Sequence, residues 1–242
     1  MLPKLIHPTF ETTVPSTGEK VKYRPFLVKE HRALMKAVEF NDETNMIETF
    51  KEVVKSCTFD ALNVAKLAMF DIDWLFLRIK GSSTGGKTPI QYKCNHIKED
   101  DSRCNTIVRL VIDTNNASIT VPDDKGAGKL IRVTDDVSIK MRWPTFESYT
   151  RMGKTTVTEL SEDLMLDCIE TIYDADQSYT PGKDFTREEL IEWFGTMGEP
   201  AEAAIEAFMK SVPEIELVVP IRCPACGTED TLKLRGLDDF LE

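Results

Sequence analysis

Cys223-Pro224-Ala225-Cys226-Gly227 lies between two runs of strand character, Ile215 to Ile221 and Thr231 to Leu234. Two thiolates three positions apart can grip one metal ion, and Gly227 permits the left-handed turn that follows such a grip. A second pair, Cys94 and Cys104, lies far upstream and is also flanked by strand-like sequence. Ile90-Gln91-Tyr92-Lys93 leads in and Thr106-Ile107-Val108-Arg109-Leu110-Val111-Ile112 leads out. Two cysteine-tipped hairpins meeting tip to tip make a zinc ribbon, with four soft ligands around a tetrahedral ion. The expected site is therefore Cys94, Cys104, Cys223 and Cys226 around one structural zinc. Four thiolates leave no open coordination position, so catalysis by this ion is not expected. The upstream pair is the weaker half, because its nine-residue gap, Asn95 to Arg103, exceeds the usual spacing of about two to four. The gap is polar enough to bulge outward, and His96 within it is an alternative ligand in place of Cys94 or Cys104.

Outward from the cysteines, the chain divides by texture. Residues 1–28 carry Pro3, Pro8, Pro15 and Pro25 around a short alternating run, Glu19 to Tyr23, and read as an N-terminal arm with one hairpin. Residues 29–86 read as a helical body. Leu27, Leu34, Met35 and Val38 recur at helical spacing through Phe40, Asn41-Asp42 interrupts, and Met46, Ile47, Phe50, Val53 and Val54 resume the pattern. Asp71-Ile72-Asp73 supplies N-cap chemistry for a third helix, Trp74 to Ile79, which Gly81 to Gly86 stops. Residues 87–142 and 214–235 form the expected zinc-ribbon β subdomain. Its further short strands are Ile119 to Val121, Lys129 to Val133 and Val137 to Met141, with Asp123 to Gly128 as a break. Residues 143–213 read as an inserted helical bundle. Leu160, Leu164, Met165, Cys168, Ile169 and Ile172 keep helical spacing, Thr186-x-x-Glu189 is a capping box before Leu190, and Ala201 to Met209 is helical. Residues 236–242 are an acidic C-terminal tail bearing Leu237, Phe240 and Leu241. The fold class is α+β, with helical segments around a zinc-ribbon-like β subdomain built from two distant hairpins.

With 30 basic against 41 acidic residues, the net charge of -11 opposes an electrostatic grip on nucleic acid or anionic membrane, although zinc ribbons as a class include nucleic-acid modules. The N-terminal sequence lacks the apolar core of a signal peptide, and no apolar run approaches the ~20 residues of a membrane span. A reducing cytoplasm during folding is expected, where paired cysteines favour metal over disulfide. Cys57 and Cys168 sit in apolar patterns and read as core residues. Gly81-Ser82-Ser83-Thr84-Gly85-Gly86-Lys87-Thr88 satisfies the P-loop pattern in letters, with Asp113 after Leu110-Val111-Ile112 as an apparent magnesium-holding strand. A nucleotide hydrolase needs that loop to pass from a strand into a helix whose N-terminus cradles phosphate. Here Pro89 and strand-like residues follow at once, so the stretch reads as a connection between helix and ribbon. His7, His31 and His96 lack a nucleophile and an orienting carboxylate around them. No enzymatic activity and no small-molecule substrate are expected.

Four segments carry a family resemblance: Tyr23-Arg24-Pro25-Phe26-Leu27-Val28-Lys29-Glu30, Cys57-Thr58-Phe59-Asp60, Phe70-Asp71-Ile72-Asp73-Trp74-Leu75-Phe76-Leu77-Arg78-Ile79-Lys80, and Asp135-Asp136-Val137-Ser138-Ile139-Lys140-Met141-Arg142-Trp143-Pro144-Thr145. In that order they resemble the baseplate hub and hub-assembly proteins of T-even-type contractile-tailed bacteriophages, over roughly residues 20–235. The resemblance implies a non-enzymatic part in tail morphogenesis, as a hub component or an assembly factor. It implies other baseplate hub and tail proteins as partners, and a place in the virion tail after assembly in the host cytoplasm. The Asn95 to Arg103 insertion departs from the family pattern. The N-terminal arm and acidic tail are candidate docking elements.

Overall fold

The computed structural model describes residues 3, 5–40, 43–98, 101–120, 128–152 and 157–235. The expected break at Asn41-Asp42, most of the Asp123 to Gly128 break, Val121 and the acidic tail 236–242 lie outside them. The architecture is mixed α+β, with seven helices and four small sheets among the described residues.

The N-terminal hairpin pairs β1 (Phe10–Thr13) with β2 (Lys20–Tyr23). Its inward side chains, Val14, Val21 and Tyr23, are buried against α1 (Val28–Phe40), α2 (Glu43–Cys57) and α3 (Met69–Thr84). The hairpin expected in the N-terminal arm is thus present and packed down over residues 10–23. Ser16, at the hairpin turn, donates through its N–H (2.9 Å) and its hydroxyl (2.5 Å) to the buried Asp71 carboxylate. Trp74 Nε1 donates to Thr12 Oγ1 at 3.2 Å. Arg24 donates to Glu30 (2.8 Å) and Ser56 Oγ (2.9 Å), joining the hairpin to both flanking helices. Leu5 and Ile6 remain exposed.

Helix α3 is the axle of the molecule. Its sequence is apolar around most of its circumference, as befits a helix covered on several sides. Ile72, Leu75, Phe76 and Ile79 face the N-terminal core, Phe70 faces the inserted segment, and Leu77 faces the ribbons. It is longer at both ends than the expected Trp74 to Ile79. Asp71 sits in its first turn and accepts the Ala68 N–H at 3.2 Å, so it caps from inside the helix. At the other end, Ser82 and Ser83 hydroxyls donate back to the Ile79 carbonyl (2.8 and 2.9 Å), and the Gly/Ser stretch continues as helix until left-handed Gly85.

After α3 come two ribbons distant in sequence. One pairs β3 (Lys87–Lys93) with β4 (Ile107–Asp113). The other pairs β10 (Ile215–Arg222) with β11 (Glu229–Arg235), and β10 also takes up β5 (Ser118–Ile119). Their inner faces meet through Ile90, Ile112, Ile215, Leu217 and Leu234. A separate four-stranded sheet runs β6 (Leu130–Arg132), β7 (Ser138–Met141), β8 (Ile169–Tyr173), β9 (Ser178–Tyr179). Helix α4 (Phe146–Met152) sends Phe146 into the N-terminal core, while α5 (Val157–Asp167), α6 (Arg187–Phe194) and α7 (Glu199–Met209) accompany the sheet around a core of Met141, Trp143, Ile205 and Phe208.

This sheet revises two expectations. Residues 143–213 contain strands as well as helices, and the boundary set at 142 falls between two strands of one sheet, because β6 and β7 pair with β8 and not with the ribbons. The helical pattern drawn through Cys168, Ile169 and Ile172 breaks at Asp167, where α5 ends. Ile169 and Ile172 are both buried although three apart, which a regular strand forbids. The register supplies the reason: Lys140 pairs with Thr171 and Met141 with Ile169, so Glu170 is an extra residue in a β-bulge. The bulge flips the parity of the strand and imitates a helical spacing.

Candidate metal centre

Cys94 follows β3, and Cys104 lies shortly before β4. Cys223 follows β10, and Cys226 precedes β11. All four side chains converge: their sulfurs lie within 4.8 Å of one another, with Cys94 to Cys226 at 3.7 Å and Cys104 to Cys223 at 3.8 Å. The closest contacts cross between the ribbons. Cys94 and Cys223 are buried, Cys104 and Cys226 half-buried, and Val108 and Ile221 pack beside them. His96 is exposed and lies outside the cluster, so the four cysteines gather without it.

The two cysteine loops are built alike. The Gly227 N–H donates to the Cys223 carbonyl (2.9 Å), and the Asn105 N–H donates to the Cys94 carbonyl (3.0 Å). Cys223 N–H donates to Thr228 O, and Cys94 N–H to Thr106 O, both at 2.9 Å. Gly227 (φ 73°) and Asn105 (φ 54°) are both left-handed, and asparagine is the side-chain-bearing residue that tolerates this best. Thr106 and Thr228 each bring a hydroxyl to the preceding cysteine, 3.2 Å from Cys104 Sγ and 3.4 Å from Cys226 Sγ.

The upstream gap is explained by this likeness. Ile97 bridges to Arg103, Lys98 N–H donates to Ser102 O (2.8 Å), and Cys104 N–H donates to His96 O (2.8 Å). The described residues of 97–103 thus close a small excursion on its own base. Removing it in the mind leaves Cys94-Asn95-His96-Cys104, the same Cys-x-x-Cys loop as Cys223 to Cys226. No spacing rule exposes this, because the closure is made by backbone groups.

Electrostatics favour a cation among the sulfurs. Hydrogen bonds from the Thr228 side chain and backbone lower the Cys226 thiol to about 6, and those from Thr106 lower Cys104. The His96 N–H favours the Cys94 thiolate, but burial and the neighbouring sulfurs outweigh it and push that thiol up to about 12. Thiols this close cannot all ionise unless positive charge is shared among them. Tyr92 spans the ribbons nearby, its hydroxyl donating to Asp230 Oδ2 at 2.5 Å. Cys57 and Cys168 are fully buried, and burial raises both thiols, to about 11 and about 12. They fill core space.

The P-loop letters fall into the opposite order from a phosphate site. Gly81 to Thr84 are the last turn of α3, and Lys87-Thr88 open β3, so a helix leads into a strand. Gly86 sits at φ 81°, a left-handed backbone that favours glycine, and a Cβ there would also displace the Asn115 side chain, 2.2 Å away. The Asp113 carboxylate accepts the Asn115 N–H at 2.9 Å and caps the short turn at Thr114–Asn116.

A family model described as T4 bacteriophage base plate protein matches residues 7–242. The baseplate hub assembly protein gp26 of Enterobacteria phage T4 is 27% identical over 226 residues, covering 93% of this chain and 94% of that protein. No solved structure matches.

Proposed function

We propose a role in the baseplate hub for this chain, which belongs to the family of T4 bacteriophage base plate proteins. The chain acts without catalysis, as a structural component of the hub of a contractile-tailed phage or as a factor in its assembly, through contacts with other hub and tail proteins. The observation that carries this is the end-to-end likeness to a protein named for hub assembly, spanning nearly the whole length of both chains. Its place is the virion tail, reached after assembly in the host cytoplasm.

A structural zinc held by Cys94, Cys104, Cys223 and Cys226 belongs to this reading. Zinc bonds its thiolates at about 2.3 Å, which sets the edge of the sulfur tetrahedron at about 3.8 Å. The 3.7 and 3.8 Å contacts between the ribbons fit that edge, whereas a disulfide would need about 2.05 Å. Such an ion would tie residues 94–104 to residues 223–226 and fix two ribbons that the sequence keeps far apart.

Two measurements test the proposal. Elemental analysis of protein purified without chelator is expected to give about one zinc per chain; a metal-free, folded protein would remove the zinc. Pull-down against the other tail proteins, run separately on mature particles and on assembly intermediates, is expected to recover hub partners. Retention in mature particles marks a component, and loss marks a factor. Recovery of no tail protein from either would overturn the role.

A further inference from the structure

We infer that the free edge of β4, at Ile107, Arg109 and Val111, is a docking strand for an extended segment of a partner protein that carries a carboxylate between two apolar residues. This deepens the proposed role in protein contacts by naming the surface.

The ladder itself identifies the edge. Cys94 N–H donates to Thr106 O (2.9 Å) and Thr114 N–H to Gly86 O (2.8 Å), and both pairs extend the register that sets Lys93 opposite Ile107 and Lys87 opposite Asp113. Hydrogen-bonded and non-hydrogen-bonded pairs alternate along an antiparallel ladder. Val108, Leu110 and Ile112 therefore turn their backbone groups toward β3, and Ile107, Arg109 and Val111 turn theirs away from it. No strand pairs with that side of β4 among the described residues. The far edge of β3 is different. Pro89, opposite Val111, sits where the backbone faces outward, so that edge lacks a donor at its centre. Of the two edges of this ribbon, only that of β4 offers an uninterrupted row.

The side chains on the same residues indicate what docks there. Ile107 is 58% exposed and Val111 67%, with Arg109 exposed between them. On the same face, β3 contributes Lys87, Pro89, Gln91 and Lys93, all exposed, and β4 adds one carboxylate, the exposed Asp113 opposite Lys87, so three basic groups face one acidic group. Lys87, Lys93 and Arg109 make no ion pair with a described residue. A cationic, apolar-studded strip on a chain of net charge -11 is matched by an acidic segment with apolar neighbours. A third strand places its alternate residues beside Ile107, Arg109 and Val111, so the recognised pattern is apolar-x-carboxylate-x-apolar.

The test uses the full chain with its metal retained and a fluorescent peptide built around Val-Thr-Glu-Thr-Val, read by anisotropy. The peptide is expected to bind, and its counterpart with Lys in place of Glu to bind about tenfold more weakly, an order-of-magnitude effect of one charge reversal. Arg109→Glu should invert that preference. Val111→Pro, which removes one outward N–H and leaves the β3 ladder whole, should weaken the Glu peptide with metal content unchanged. No binding at millimolar peptide, equal binding of both peptides, or no inversion by Arg109→Glu overturns the inference. Self-association abolished by Val111→Pro would assign the edge to a second copy and also overturn it. Tail-protein pull-down that survives Arg109→Glu removes the edge while leaving the hub role standing.

Discussion

Deleting Ile97 to Arg103 should leave the four-cysteine cluster and the zinc proposed for it whole. The excursion holds itself together through the Ile97 bridge to Arg103 and the Lys98 to Ser102 hydrogen bond, and each of its described residues is exposed. Its base is already closed by the Cys104 N–H to His96 O bond of 2.8 Å, so joining His96 to Cys104 asks for a small local shift. The gap between the first two cysteines then falls from nine residues to two. Loop-closure entropy scales as about (3/2)RT ln n, so the shorter loop favours the folded state by about 1 kcal/mol. For a two-state chain of this size that is a rise of roughly 2–4 °C in melting temperature, before any strain at the new joint. Zinc stoichiometry by elemental analysis and melting by circular dichroism are the assay, with His96→Ala as a companion that should keep its metal. A deleted chain that loses zinc or melts well below the parent would show that residues 97–103 do more than decorate the loop, and the likeness of the two cysteine loops would be refuted.

Further outcomes follow from the same structure. Cys226→Ser should lose the ion and destabilise residues 215–235, because ligand loss removes binding energy that is also folding energy; unchanged melting counts against the site. Glu30 is 5% exposed, and although burial opposes its charge, the bonds from Arg24, Leu27 and Ser56 hold its carboxyl down at about 2 against an ordinary 4.5. The folded pKa is depressed, so its contribution, about 3 kcal/mol at most, is present above pH ~4.5 and lost as pH falls toward ~2. Glu30→Gln should therefore be less stable at pH 7 and flatter than the parent across that window in acid-unfolding curves; parallel curves would refute the pairing. Thr88 Oγ1 is buried without a partner among the described residues, so Thr88→Val should be neutral or stabilising by up to about 1 kcal/mol in denaturant melts. A large loss would mean that the hydroxyl has a partner after all.

What the sequence revealed, and what it hid, divides along one physical line. Features made by side chains at fixed spacing were readable: the helix Val28–Phe40, the Thr186 box with its Glu189 bond of 2.7 Å, and both cysteine pairs at the turns of strand-like runs. Features made by backbone groups were not. The closed excursion at 97–103 and the bulge at Glu170 each change an apparent spacing without changing a residue type. The first made a Cys-x-x-Cys loop look too long, and the second made a strand look like a helix. The Gly/Ser end of α3 misleads differently, because its composition announces a loop while the chain stays helical through Thr84.

The same line explains why the docking edge escapes notice in the sequence. Ile107 and Val111 read as ordinary strand residues, and only the hydrogen-bond parity fixed by Cys94 and Thr114 turns their amides outward. That parity is anchored at its tip by the cysteine loop. An ion that holds Cys94 against Cys226 would thus also hold the orientation of the edge, so chelation should weaken strand docking without touching any residue that makes it. Docking that survives complete removal of the metal would separate the two features and leave the ribbon rigid through Ile90, Ile112 and Leu217 alone.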